Sequence, residues 1–255
     1  MSAGFQSRFG HAADEYVAYR PEYPAELFER IIAVLPSERR QRAMDLGAGT
    51  SNSIRPLLAH FAEVIAVEPD PLMAEKLRAL GARAHVRVAT AEDVVQEAAS
   101  VDLVTVSAAL YWMDAARVIA NIYRWLRSGG ILAVWAAGFP RTPDPANAIT
   151  IQEFIERWNR FRDPRVDLAE SSEHARRAAS GFTILDDRTV SNIVWLTPRE
   201  FVGFWRSTSY GGAYARMLAV PEAYWRDLEA RYRNSWPKEK FPVDFSPWLL
   251  LARKD

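Results

Sequence analysis

The first half of the chain alternates short apolar runs with amphipathic ones. Arg42–Leu46 runs into a pair of glycines and then a helical stretch, Ser53–Phe61. Val64–Val67 is an apolar run that ends at an acid, followed by the helix-like Pro71–Leu80 and a stop at Gly81. His85–Ala89 predicts a third strand and Val101–Ser107 a fourth, whose Val-Asp-Leu-Val-Thr-Val pattern suits a strand packed on both faces. Asp114 is placed to cap a helix reaching Leu126, with Val118, Ile119, Ile122 and Trp125 at helical spacing. Ser128-Gly129-Gly130 stops that helix, and Ile131–Trp135 predicts a fifth strand. Strands alternating with helices predict βαβ units, hence a parallel sheet with helices on both faces.

Beyond Phe139 the rhythm changes. A Pro-rich connection over 140–145 precedes a predicted helix, Ile151–Phe161. Thr189–Trp195 is strand-like, helices are predicted across Pro198–Arg206 and Pro221–Arg233, and Pro242–Ala252 predicts a last strand. The N-terminal side, to about Pro24, is an aromatic-rich arm ahead of a clear helix, Ala25–Leu35. The expected organisation is an arm or lid over 1–24 and one domain over 25–255, with a cap-like segment near 140–240.

Composition narrows the function classes. At 255 residues the chain suits one α/β domain with additions. Its 32 basic and 32 acidic side chains cancel, so no net field draws it to nucleic acid or an anionic membrane. The absence of cysteine excludes disulfides, thiolate catalysis and Cys-based zinc sites. The histidines are scattered, so no metal site is expected; His11 alone is a candidate base. No apolar segment has transmembrane length and the N-terminus has no signal-peptide core, so a cytoplasmic protein is expected.

The chemistry-bearing pattern is Asp45-Leu46-Gly47-Ala48-Gly49-Thr50-Ser51. Glycine between a strand and a helix lets the backbone approach a ligand closely. No Gly-Lys-Ser/Thr follows, so it is not a P-loop, and Asn52 stands where a dinucleotide fingerprint needs its third glycine. Glu68, at the end of the second strand, is placed to accept both hydroxyls of a ribose, and Glu92-Asp93, after the third, to accept from an adenine amino group.

Taken together these motifs resemble the small-molecule class I S-adenosylmethionine-dependent methyltransferases, in particular the group similar to trans-aconitate methyltransferases. Glu68-Pro69-Asp70-Pro71-Leu72-Met73 resembles their acidic ribose motif, Ala91-Glu92-Asp93 their adenine motif, and Leu126–Gly130 their Leu-Lys-Pro-Gly-Gly turn. Tyr19-Arg20-Pro21-Glu22-Tyr23-Pro24 matches an N-terminal signature of that group. The resemblance covers residues 9 to 137 well and the rest loosely. It implies a Rossmann-like, seven-stranded, mostly parallel sheet with the last strand antiparallel. It also implies S-adenosyl-L-methionine as cofactor and a small-molecule acceptor methylated on oxygen, nitrogen or carbon, in secondary metabolism. Carried over residue by residue, the cofactor site comprises Tyr19, Arg20, Asp45, Gly47, Ala48, Gly49, Glu68, Pro69, Met73, Ala91, Glu92, Asp93, Ser107, Ala108 and Trp112. No catalytic base is identifiable, and a monomer or a homodimer is equally compatible.

Two positions depart from the pattern: Ser51 replaces a third glycine, and Tyr111 stands where relatives often carry a histidine before the tryptophan. Two alternatives remain. One is a methyltransferase-fold protein that binds S-adenosylmethionine but catalyses another reaction, such as a cyclisation. The other is a nicotinamide-dependent oxidoreductase, which would need a third glycine and a Tyr-x-x-x-Lys-type dyad, neither of which is present.

Overall fold

A computed structural model describes residues 12–81 and 84–255. His11 lies outside them. Seven strands form one sheet in the order β3-β2-β1-β4-β5-β9-β6. The central strands are β1 (Arg42–Leu46), β2 (Glu63–Val67), β3 (Ala84–Arg87), β4 (Val101–Ser107) and β5 (Leu126–Ala137), all parallel. β9 (Pro247–Arg253) runs antiparallel between β5 and β6 (Thr183–Thr189). This is the expected Rossmann-like, seven-stranded, mostly parallel sheet with its last strand reversed.

The apolar runs become central strands because both faces of the sheet are covered. On one face, α5 (Ala115–Trp125) buries Val118, Ile119, Ile122 and Trp125, as its spacing predicts, and the Asp114 carboxylate accepts the Arg117 N–H to cap it. On the other lie α2 (Ala25–Ala33), α3 (Ile54–Leu58) and α4 (Pro71–Arg78), whose Leu27, Ile31, Ile54, Leu57 and Leu77 are completely buried. Each such side chain contributes roughly 1.5–3 kcal/mol by leaving water.

Four expectations need correction. Ser128-Gly129-Gly130 does not end an element: Leu126 already pairs with Val101, and the glycines are absorbed as an irregularity in register before Leu103 meets Ile131. Thr189–Trp195 is not one strand. β6 ends at Thr189, and β7 (Ile193–Leu196) pairs instead with β8 (Phe241–Asp244) in a separate two-stranded sheet. Pro242–Ala252 divides at the matching place, between β8 and β9. The two breaks are tied together: the Phe245 N–H donates to the Asn192 carbonyl and the Asn192 N–H to the Ser246 hydroxyl. Finally, the helix expected over Ile151–Phe161 begins earlier, as α6 (Ala146–Glu153), and continues as a π-helical segment, Phe154–Trp158.

α7 (Glu173–Ala178) packs with α5 against the main sheet, and the cap comprises α6, α8 (Pro198–Arg206), α9 (Ser209–Arg216), α10 (Pro221–Ser235) and the small sheet. Its aromatic residues form a core of their own, with Trp158, Phe201, Trp205, Tyr232 and Phe241 fully buried. Trp195, on β7, lies outside this core and is 54% exposed. The arm is not extended: Ala13–Tyr19 forms a helix, α1, which packs against α8.

Candidate functional site

A cleft of about 1170 Å3, counting its open mouth, lies over the carboxyl ends of β1, β4 and β5, between the sheet, α1 and the cap. That rim is where open α/β sheets bind ligands. Its floor is the Gly47–Thr50 main chain together with Ser107 and Ala108. Arg20 and Trp112 also line it, so seven of the predicted residues converge here.

The loop's shape has identifiable causes. Gly47 has φ +70°, and a Cβ there would come within 2.6 Å of the Ala109 Cβ. Gly49 has φ +59°. The Gly47 and Ala48 N–H groups both donate to the Val67 carbonyl. Asp45 sits beneath the loop rather than in the cleft. It is completely buried, accepts the Ser53 hydroxyl at 2.6 Å and the Thr105 hydroxyl at 2.5 Å, and so ties the loop to β4. Burial pushes its carboxyl up to about 6, against the pull of those two hydrogen bonds.

Glu68 is the residue behind Gly49. One carboxylate oxygen accepts the Gly49 N–H and the other the Asp70 N–H, each at 2.9 Å. The residue is 7% exposed, and burial pushes its carboxyl up to about 7 despite these bonds. Met73 packs in the same place, its methyl 4.0 Å from where a Gly49 Cβ would stand.

The remaining predicted residues do other things. The Glu92 carboxylate accepts the Asp114 N–H at the start of α5, and Asp93 pairs with Arg117 at 3.0 Å. Ala91 is buried in the core under α5. Pro69 is partly buried beside Glu68 and does not line the cleft. Tyr19 lies flat against Gly203 of α8, filling the space a side chain there would need.

Arg20 is the arm's contribution to the cleft. Its guanidinium is held between the Tyr16 and Phe204 rings, at 4.8 and 4.7 Å, and its Nε donates to the Ser207 hydroxyl at 2.9 Å. Among the described residues no carboxylate pairs with it. Its three seats are neutral, so the cation is positioned but not neutralised. Tyr23, which accepts a hydrogen bond from the Ser107 hydroxyl, has its phenol pushed up to about 12 by burial. Burial raises the Tyr111 and Tyr210 phenols as well. None of these tyrosines is a base at neutral pH.

Sequence reasoning left out the cap side of the cleft, where Arg162, Glu170, Asn192 and Phe245 stand. They come from turns and strand breaks with no motif to mark them.

Ser51 has φ +124°, a conformation that costs a non-glycine residue ~1–3 kcal/mol. This is the position where the resembling group has glycine. Ser51→Gly is expected to raise Tm, because the relief exceeds the lost hydrogen bond from Arg55 to the Ser51 hydroxyl, 3.2 Å long. Thermal denaturation checks this, and an unchanged or lower Tm counts against it.

A model for a methyltransferase domain matches residues 44–134. An uncharacterised methyltransferase of Mycobacterium tuberculosis is 34% identical over 206 residues, 79% of this chain and 76% of the relative. The trans-aconitate 2-methyltransferase of Methylobacterium radiotolerans is 36% identical over 107 residues, 41% of each chain. A solved structure from Anaeromyxobacter dehalogenans, provisionally named a type II methyltransferase, is 25% identical with a TM-score of 0.74, over 92% of this chain and 98% of that one. Fold, glycine loop and relatives agree, and the chain belongs to the class I S-adenosylmethionine-dependent methyltransferase family.

Proposed function

We propose that the protein binds S-adenosyl-L-methionine in this cleft and transfers its methyl group to a small-molecule acceptor. The observation that carries the reading is the pairing of Glu68 behind Gly49 with Arg20 across the same loop. A buried carboxylate with spare lone pairs suits two ribose hydroxyls, and an unneutralised guanidinium suits an amino-acid carboxylate. The donor set therefore fits the cofactor at both of its polar ends. Asp93, paired with Arg117, is the residue that the resemblance offers to an adenine amino group. The family resemblance supports the same assignment, and two solved structures of the same fold hold S-adenosylmethionine or S-adenosylhomocysteine.

When bound, this cofactor supplies a methyl group on a sulfonium, activated for in-line displacement. The chain's own task is to align the acceptor, to exclude water and to accept a proton where one is released. Alignment of this kind is worth on the order of 7 to 11 kcal/mol in favourable cases. The cleft is closed on one side by α1 and on the other by the cap, so its size favours a small acceptor over a polymer. The balanced charge likewise argues against a nucleic acid. The Methylobacterium relative matches over only 41% of each chain, so its substrate does not carry over.

Calorimetric titration with S-adenosylmethionine tests the core of this reading. Binding in the micromolar range is expected; no heat at millimolar cofactor, with no displacement by S-adenosylhomocysteine, would sink it.

A further inference from the structure

The cap side of the cleft carries one group that the cofactor assignment leaves unused. Among the described residues that line the cleft, Glu170 is the only carboxylate. It stands on the carboxyl end of β5: its Oε2 accepts the Phe139 N–H at 3.3 Å and lies 2.6 Å from where a Gly138 Cβ would be. Gly138 is thus the residue that leaves room for the carboxylate there.

The carboxylate is only lightly engaged. Its other oxygen is 3.6 Å from Arg162, beyond hydrogen-bond length. Arg162 is meanwhile bound more closely by Asp167. Two long contacts leave most of Glu170's acceptor capacity facing the cleft, with 47% of the side chain exposed. Aromatic rings form much of the surroundings, alongside Arg162 and Asn192. Phe139, Phe204, Tyr210 and Phe245 wall the cap side, with Phe204 and Phe245 ring centroids 5.0 Å apart. Tyr210 lies close enough to Glu170 and Arg162 for both charges to act on its phenol. Aromatic walls with one converging acceptor select a planar ligand that offers one donor.

We propose that the acceptor is a planar aromatic compound bearing a hydroxyl group, and that Glu170 holds that hydroxyl and takes its proton on methyl transfer. This rests on the methyltransferase reading above. The phenolic oxygen forms a bond to the methyl carbon as the sulfur–methyl bond breaks, and the bonding pair stays on sulfur as a neutral thioether. The phenolic proton passes to the Glu170 carboxylate and then to water. A carboxylate beside the hydroxyl disfavours phenolate, so the bound phenol stays neutral until the methyl group arrives.

The probe is para-nitrophenol, whose phenolate absorbs in the visible, titrated at neutral pH into protein saturated with S-adenosylhomocysteine. Wild-type protein is expected to bleach the phenolate band, because binding favours the neutral form. Glu170→Gln removes that preference and leaves Arg162 to favour phenolate, so the band is expected to rise by several-fold relative to wild type. Glu170→Asp, which withdraws the carboxylate by one methylene, is expected to bleach the band less. An unmoved band in wild type overturns the proposal, as does a Gln variant that bleaches like wild type. S-adenosylhomocysteine affinity is measured on all three proteins: its absence in wild type overturns the underlying reading and this one together, whereas its retention with an unmoved band overturns this one alone.

Discussion

Glu68→Ala is expected to weaken S-adenosylmethionine binding about a hundred-fold. Charge-assisted hydrogen bonds are worth ~1.5–3 kcal/mol each, and loss of about 3 kcal/mol corresponds to that factor. The substitution also strands the Gly49 and Asp70 N–H groups that the carboxylate now satisfies, so the loop itself loosens. Glu68→Gln offers one acceptor but sets an amide N–H2 against the other backbone donor, and is expected to fall between.

The pH dependence separates charge from shape. Burial is the main reason the Glu68 carboxyl is pushed up to about 7, above the ordinary value of 4.5. The native state therefore holds a proton that the unfolded chain releases. Its contribution to stability is complete below about 4.5 and is lost as pH rises through 7. Cofactor affinity runs the other way, since the ionised carboxylate is the stronger acceptor. Wild-type affinity should rise by up to roughly ten-fold between pH 6 and 8, and the Gln variant should lose that slope. Calorimetry at several pH values measures both; wild-type affinity in the Ala variant, or a flat wild-type profile, refutes the role given to Glu68.

Glu68 and Gly49 were legible in the sequence because they belong to one local unit. A strand, a tight loop and a helix leave few places for an acid that ends the next strand. The parallel strands were legible for a similar reason, as burial on both faces makes the central ones, β2 and β4 above all, mostly apolar. The cap obeys no such rule. β6 is an edge strand reading Thr-Ile-Leu-Asp-Asp-Arg-Thr, with most of its residues exposed, so periodicity could not separate it from β7. The breaks at Val190–Asn192 and Phe245-Ser246 are set by one another across the ribbon, a pairing that only three-dimensional structure shows. Glu170 follows a 3-10 turn, Pro164–Ala169, and its place over Gly138 depends on how that turn meets β5. Tyr19 shows the opposite failure. Its motif suggested a ligand contact, while its ring serves to dock the arm on α8.

That docking gives a second strong expectation, which separates stability from binding. Gly203 is buried in the middle of α8, where alanine would ordinarily stabilise a helix by ~1 kcal/mol. Here the Tyr19 ring occupies the place the new methyl group must take. Gly203→Ala therefore forces Tyr19 off the helix. The ion pairs α1 makes, Asp14–Lys76 and Glu15–Arg206, are partly exposed and screened by solvent. With α1 displaced, Arg20 leaves its seat between Tyr16 and Phe204 and its bond to Ser207. The variant should thus keep or slightly raise its Tm while losing about ten-fold or more in S-adenosylmethionine affinity, the worth of a charged hydrogen bond. If the effect passes only through Tyr19, adding Gly203→Ala to Tyr19→Ala costs no further affinity, because the two substitutions remove the same contact. A Gly203→Ala protein that binds like wild type, or a double variant whose losses add, would show that the arm does not hold Arg20 through this contact.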